Sequence, residues 1–591
     1  MPLQELISWS PMIPYSVGIG TRDGAGRRSG HAPYREGVTR LAGAEIEVTS
    51  SSCADGLRLD VSLRNSSPRA LAVDRVYIDL RPDMPVGMAL DQGYQSWSPI
   101  DRRRVREVRG TRRLAPAMVR ATYHADPVLA GRAVSGDQYL VTDAGAAGFL
   151  DAAMHLGTIS VSPDGTVLRA TALLDGVLLG PREERALDPL WFASGEPSGR
   201  YSSFAQLWGI QASARRRYPS SAALPGRRLL PGWCSWYQYL WNVTPDDVLA
   251  NVGLARAGGL GVVQIDDGYE AAVGDWLVPN QRWAHRMEEV VGEIRGAGLA
   301  AGIWTAPFLA GAGSTILAEH PDWLVRSAGS LGLLKAMFNP VAWGGWAYAL
   351  DTTRGEVLDH IRSTFATLVA QGFDYHKVDF CYAAALPGFR HDGRFTRAQA
   401  LQAGLRAVRE GLGDDSFLVG CGCPFGPAVG LVDAMRVSPD VAPRWSPGFV
   451  RYPSYSDAAP AASNSVRASV LRAPLHRRVF MNDPDCLLLR PTDTHLNARQ
   501  RDTLAAAVMG CGGFAMVSDD LRLYGQEQWD VLDALRTDLD QLDTPLELED
   551  PFATRPKVRS ARFELSVDWR PNRLAGGPHG VLQRRGDSAA G

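Results

Sequence analysis

The sequence predicts a multidomain α/β protein: a central (β/α)8 TIM barrel with an N-terminal β-sandwich and a short C-terminal β region. Three observations lead there. Residues 1–225 carry short alternating runs, such as Glu45-Ile46-Glu47-Val48, Leu57-Arg58-Leu59-Asp60-Val61-Ser62-Leu63 and Thr158-Ile159-Ser160-Val161, between Gly, Pro, Asn and Asp turns. Half-buried strands of a sandwich read this way. After Pro231 apolar strand-like runs alternate with longer helical patterns, the grammar of a parallel sheet. Eight such units fit into about 300 residues, which is what a (β/α)8 barrel requires.

The eight barrel strands are expected to end near Trp236, Asp267, Trp304, Asp379, Cys421, Ser438, Asp483 and Ser518. Thr244-Pro245-Asp246-Asp247 opens the first intervening helix with an N-cap, a proline at N1 and acids in the first turn. Gly258-Gly259 supplies its stop, and Gly296 to Gly298 supply the next. A doubly wound sheet is the plainer competitor, but no Gly-rich phosphate loop opens any of these helices. Ala212 to Arg228, rich in Ser, Arg and Pro, reads as a linker, so the barrel is assigned to residues 231–540. Residues 541–591 return to alternation, as in Arg562-Phe563-Glu564-Leu565-Ser566-Val567-Asp568, and close in a Gly, Arg and Ser tail that is expected to fray.

Composition narrows the function. The 591 residues carry 62 basic and 64 acidic side chains, a formal net charge of −2, so nothing draws the chain toward nucleic acid or anionic lipid. With 45% hydrophobic residues it can fill several cores, and no apolar run approaches the ~20 residues of a membrane span. Met1-Pro2-Leu3-Gln4-Glu5-Leu6-Ile7 lacks the features of a secretory signal. The seven cysteines are odd in number and lie mostly in strand-like runs, so reduced thiols in a cytoplasmic protein are expected. Cys421-Gly422-Cys423 lacks the spacer of a zinc or redox pair, and no metal or organic cofactor is predicted. Only three of the 62 basic residues are lysines, Lys335, Lys377 and Lys557, a bias that suits a GC-rich genome.

Barrel active sites form at the carboxyl ends of the strands. Four of these ends carry acids, at Asp266-Asp267, Asp379, Asp440 and Asp483, and three others carry Trp236, Trp304 or Cys421. A lone aspartate there is more often a turn or a cap, whereas four converging carboxylates repel one another and shift their pKa values, as acid/base chemistry needs. Aromatic faces beside carboxylates suit a sugar, with Trp304 and the cluster Trp233, Trp236, Tyr237 and Tyr239 as candidates. Strand alternation turns Trp233 away from Trp236, into the core. Trp323, Trp343 and Trp346 fall in a loop-rich stretch that would wall the site. Alternation also places Lys377 and Asp379 at the mouth and His376 outside it, where His376 packs structurally. The Lys377 ammonium is expected to keep the neighbouring Asp379 ionised for nucleophilic attack.

Six motifs follow in order: Gly232-Trp233-Cys234-Ser235-Trp236-Tyr237, Gln264-Ile265-Asp266-Asp267-Gly268-Tyr269-Glu270, Gly302-Ile303-Trp304-Thr305-Ala306-Pro307, Lys377-Val378-Asp379-Phe380, Arg436-Val437-Ser438-Pro439-Asp440 and Asn482-Asp483-Pro484-Asp485. Together they resemble glycoside hydrolase family 36, the α-galactosidase or melibiase family, in its compact bacterial branch. The resemblance implies a retaining α-galactosidase with Asp379 as nucleophile and Asp440 as general acid/base. It implies that Asp266 and Asp267 grip galactose hydroxyls, that Lys377 and Arg436 bind other polar groups of the sugar, and that Trp304 shapes the floor. Gly93-Tyr94-Gln95-Ser96-Trp97-Ser98 resembles a loop from which the family lends a tryptophan, here Trp97; a buried sandwich residue is the alternative. Trp236, Tyr237 and Cys421 complete the substrate-contacting candidates. The chain departs from other branches at Cys381 and at Gly420-Cys421-Gly422-Cys423-Pro424, which leaves galactose against N-acetylgalactosamine open. An α-N-acetylgalactosaminidase, a galactosyl transferase and a catalytically inactive sugar-binding protein remain as alternatives. The implied partner is a small-molecule α-galactoside, with no nucleic acid and no membrane.

Overall fold

A computed structural model describes residues 12–23, 26–53, 56–214, 231–329, 332–512, 515–539, 544–560, 563–568 and 579–584. In the N-terminal part fifteen strands join one sheet, almost wholly antiparallel. Ala44–Cys53 pairs with Gly56–Asn65 from Ala44 opposite Asn65 to Cys53 opposite Gly56, and Leu57, Leu59, Val61 and Leu63 alternate inward. At the far end Ile13–Asp23 pairs with Leu71–Arg81. Val17, Ile19, Val73 and Ile78 from that end share one core with Ile46, Val48, Leu59 and Leu63. The sheet therefore closes over itself as the expected sandwich.

The sequence of this region suggests strands alone, but Pro197–Ala214 is an 18-residue helix. Glu196 caps it, accepting from Ser198 N (2.9 Å) and Gly199 N (2.7 Å). Tyr201, Phe204, Ala205, Trp208 and Ala212 form its buried stripe, a 3.6-residue period disguised by the Pro, Ser and Gly residues at its start. The proposed linker lies outside the described residues from 215 onward.

The barrel strands are β1 (Gly232–Cys234), β2 (Val262–Ile265), β3 (Ala300–Thr305), β4 (Phe373–Val378), β5 (Phe417–Gly420), β6 (Ala434–Arg436), β7 (Met481–Asp483) and β8 (Met516–Val517). Every pairing among them is parallel, in order from β7 down to β1 and then β8. The two ends of this sheet meet just past β7, where Leu487 N donates to Met516 O (2.7 Å) and Ser518 N to Leu487 O (3.1 Å). Eight strands thus curl into a barrel. The helix Pro245–Ala257 begins with a complete capping box between Thr244 and Asp247.

The stretch that reads as loop-rich after the third strand holds a small antiparallel sheet of Leu309–Gly311, Lys335–Asn339 and Gly345–Ala349. Asn339 pairs with Gly345, so the residues between them close the hairpin that joins the last two of these strands. Four C-terminal strands, Glu547–Glu549, Lys557–Arg559, Phe563–Asp568 and His579–Arg584, form a further antiparallel sheet. Leu546, Leu548, Val558, Leu565 and Val567 join the barrel's own core.

Buried arginines fasten the sandwich to the barrel, among them Arg397, which donates to Asp175 Oδ1 (2.8 Å) and Ala125 O (2.9 Å). Arg472 is fully buried and donates to Ser96 O (2.9 Å), Ser98 O (3.1 Å) and Val437 O (2.7 Å). It thereby pins the loop that carries Trp97. Asp457, in the segment after β6, pairs with Arg112 (2.6 Å), Arg109 (2.9 Å) and Arg103 (3.4 Å) of the sandwich. No helix among the described residues is long and apolar enough to cross a membrane.

Candidate active site

At the carboxyl end of the barrel a cavity of about 260 Å³ opens. Its carboxylates come from just past β2 (Asp266, Asp267), just past β4 (Asp379) and the segment after β6 (Asp440). Its aromatic wall is Trp97, Tyr123, Trp236, Trp304, Trp343 and Phe380.

Asp379 sits one residue past β4, where its backbone N donates to Thr305 O of β3 (2.8 Å). Trp304 Nε1 donates to its Oδ2 (3.1 Å) and Phe380 N to its Oδ1 (2.7 Å). Phe380 adopts φ +52°, in the left-handed region, and its ring meets Trp97 edge-on at 4.9 Å. Gly422 also lies at positive φ (+50°), and a Cβ there would stand 3.1 Å from Asp379 Oδ1 and 3.0 Å from Phe380 N.

Lys377 reaches the cavity from β4, but its ion pair is with Asp266 Oδ2 (2.9 Å), across the mouth. Asp379 feels this ammonium only at longer range: sharing a strand face fixes direction, and the long side chain then extends past β3 to Asp266. Burial pushes this ammonium down, but Asp266, Cys421 and Asp379 together outweigh it and raise it overall. Asp266 Oδ2 also accepts from Gln264 Nε2 (2.5 Å), and its Oδ1 from Asp267 N (3.0 Å). Asp267 accepts from Trp343 Nε1 (3.0 Å); burial, then the nearby Glu270, push its carboxyl up. His376 is fully buried, shares a hydrogen bond with Phe373 O (3.2 Å), and is held at about 4 by burial. It is structural, as alternation implied.

Asp440 keeps a third of its side-chain surface open. Its carboxyl is raised to about 7, by burial first, then by the charge of Asp485, with a further push from Asp379 against the pull of Arg436. Arg436 does not line the cavity, contrary to its expected place on the sugar. It lies beneath, bonded to Asp440 (3.3 Å), Asp483 (3.1 Å) and Asp485 (2.9 Å). Tyr237 and Cys421 also stand behind the cavity wall: Tyr237 OH donates to Asp485 Oδ2 (2.5 Å), and Cys421 is fully buried. Trp97 lines the cavity rather than the sandwich core. Of the three tryptophans in the inserted sheet region, Trp343 lines it, Trp346 packs on Phe338 and Lys335, and Trp323 stacks on His320.

Sequence reasoning missed Tyr123, Met337, Asn339, Ala458 and Pro460, which also line the cavity. No acid and no repeated spacing marks them, so only the fold brings them in. Glu270 closed a motif already singled out, and its place beside Asp267 was open to reading. Among the described residues no group of His, Cys, Asp and Glu is arranged to hold a metal ion.

A barrel with carboxylates converging at its mouth is an arrangement suited to acid/base chemistry. The chain matches the melibiase family model over residues 235–407. It is 27% identical to the α-galactosidase of Escherichia coli over 168 residues, 27% of this chain and 22% of that protein. It is 27% identical to the bifunctional alpha-galactosidase/sucrose kinase AgaSK of Mediterraneibacter gnavus over 153 residues, 24% of this chain and 15% of that protein. The aligned stretch thus spans less than a quarter of either curated relative. Among solved structures, TtGalA, an α-galactosidase from Thermus thermophilus, matches with a TM-score of 0.67 at 26% identity, over 89% of this chain and 98% of that one. The GH36 α-galactosidase AgaA of Geobacillus stearothermophilus shares the fold, with a TM-score of 0.61 at 13% identity, over 96% of this chain and 87% of that one.

Proposed function

We propose that the protein is a retaining α-galactosidase that removes terminal α-D-galactosyl groups by double displacement, with Asp379 as nucleophile and Asp440 as general acid/base. The observation that carries this reading is the unlike environment of the two carboxyls. Asp379 is clamped by the Trp304 and Phe380 NH groups, while Asp440 is raised to about 7 and one third open. Two carboxyls in such unlike surroundings suit two roles. Asp379 attacks the anomeric carbon as Asp440 gives its proton to the leaving oxygen. Asp440 then takes a proton from water as that water attacks the same carbon and releases Asp379. A group titrating near neutrality can do both.

The other lining residues fit a pyranose. Asp266, Asp267 and Lys377 offer acceptors and a donor for hydroxyls, and Trp97, Trp236 and Trp343 offer flat faces for its C–H side. In support, TtGalA has been solved with p-nitrophenyl α-D-galactopyranoside and with stachyose bound, and the near-neutral chain suits an uncharged glycoside. The test is the first-formed anomer, followed by NMR on an aryl α-galactoside: α-galactose is expected, and β-galactose appearing first would refute retention. Asp379→Ala should lose at least about 10⁴-fold in kcat, with azide restoring turnover to β-galactosyl azide. A variant hydrolysing at the native rate overturns the nucleophile assignment.

A further inference from the structure

The last of the six motifs, Asn482-Asp483-Pro484-Asp485, has no part in the chemistry above, yet its second acid is tightly built into the site. Asp485 is 1% exposed and adopts φ +81°, a region where a non-glycine residue is uncommon and worth explaining. Both of its oxygens are fully engaged. Oδ1 accepts from Cys486 N (2.7 Å) and faces Arg436 Nη2 (2.9 Å); Oδ2 accepts from Tyr237 OH (2.5 Å) and Val441 N (2.7 Å).

Two of those contacts lead straight to Asp440. Val441 is its chain neighbour, and Arg436 is the guanidinium that also holds Asp440 Oδ1 (3.3 Å). We propose that Asp485, braced by Tyr237, is a positioning residue for the acid/base: it fixes the Asp440 carboxyl from behind through the Val441 backbone and the shared Arg436. The role rests on the assignment of Asp440 made above. It joins the ends of β1, β6 and β7 around one carboxyl that touches the cavity.

The same placement makes Asp485 an electrostatic neighbour. The charged groups facing Asp440 are Asp485, Arg436, Asp379 and Lys377; Tyr237, Tyr123 and Cys421 also face it, each with burial raising its own pKa. Burial raises the Asp485 carboxyl overall, with Asp483 adding to it, while Arg436 and the hydrogen bonds from Tyr237 and Val441 N favour its charged form, and Cys486 lies beside it. Negative charge on Asp485 holds the proton on Asp440, and the Tyr237 hydrogen bond holds that charge on Asp485.

The experiment is the pH profile of kcat/KM on an aryl α-galactoside for the native protein, Asp485→Asn and Tyr237→Phe. The basic limb reports loss of the proton from the free enzyme's acid. Asp485→Asn removes the charge and should move that limb to lower pH by ~1 pH unit; Tyr237→Phe should move it the same way by less. A purely structural role would lower the rate without moving the limb, and profiles that superimpose on the native one overturn the proposal. If circular dichroism shows Asp485→Asn unfolded, Tyr237→Phe alone decides, since it removes one hydroxyl. A limb near pH 7 that survives in Asp440→Asn would instead overturn the acid/base assignment, and this inference with it.

Discussion

Gly422 offers a way to disturb the proposed nucleophile without touching it. At φ +50° an added Cβ would stand 3.0 Å from Phe380 N and 3.1 Å from Asp379 Oδ1, wedged against the 2.7 Å hydrogen bond that joins those two atoms. Both distances are shorter than comfortable carbon contacts. If a misplacement of ~1 Å costs about 10²-fold, then a carboxyl that yields by roughly 0.3–0.5 Å loses about 4- to 10-fold on a logarithmic scale. The left-handed backbone adds roughly 1–2 kcal/mol of destabilisation for a residue with a Cβ. Gly422→Ala is therefore expected to lower kcat about 4- to 10-fold on an aryl α-galactoside, with KM near native and a modestly lowered unfolding midpoint. Steady-state kinetics with a thermal melt would check it. A variant at native kcat would show that the Asp379 carboxyl is not held in a tight cradle, and the geometric account of its reactivity would fail.

Two further outcomes follow from neighbouring contacts. Trp304→Phe deletes the indole NH on Asp379 Oδ2 (3.1 Å); hydrogen bonds to charged groups are worth about 1.5–3 kcal/mol, so kcat/KM should fall about tenfold to a hundredfold, and an unchanged value would refute the clamp. Burial pushes the Asp457 carboxyl up, but Arg112, Arg109, Arg467 and Arg103 outweigh it and hold it below the usual range. A depressed carboxyl contributes stability above its unfolded pKa of about 4 and loses it as pH falls through the folded value. Asp457→Asn should thus cost about 3 kcal/mol at pH 7, and the gap from the native protein should narrow below about pH 4; a pH-independent gap in denaturant titrations would refute the charge argument.

The barrel is legible in the sequence because its strands are short apolar runs that end in residues of marked chemistry. Asp266, Trp304 and Asp379 fall within a residue or two of three strand ends. The helix Pro197–Ala214 is harder to see, although its stripe of Tyr201, Phe204, Trp208 and Ala212 has helical spacing. Alternation before it sets a period of two, and Pro-Ser-Gly resembles a turn. The inserted sheet that carries Met337, Asn339 and Trp343 reads as loop because its strands, Leu309–Gly311, Lys335–Asn339 and Gly345–Ala349, begin or end in Gly, Lys or Asn and none ends in an acid.

Within the site, spacing along a strand sets direction but not reach. Alternation correctly turns Lys377 and Asp379 toward the mouth and His376 away from it, since a strand's faces follow from chain geometry alone. Which carboxylate the Lys377 ammonium meets depends on a flexible four-carbon stem and on how far β2 and β4 stand apart, and those are properties of the closed barrel. The same limit explains Arg436 and Tyr237: both sit at strand ends beside the cavity, yet each turns to Asp485 rather than into the open space. Below the cavity the Arg436 guanidinium meets three carboxylates, whose pairings in the low-dielectric interior offset the cost of burying it. The residues that touch the cavity can therefore be read in large part from the strand ends, while those that tune them emerge only when the strands are closed into a ring.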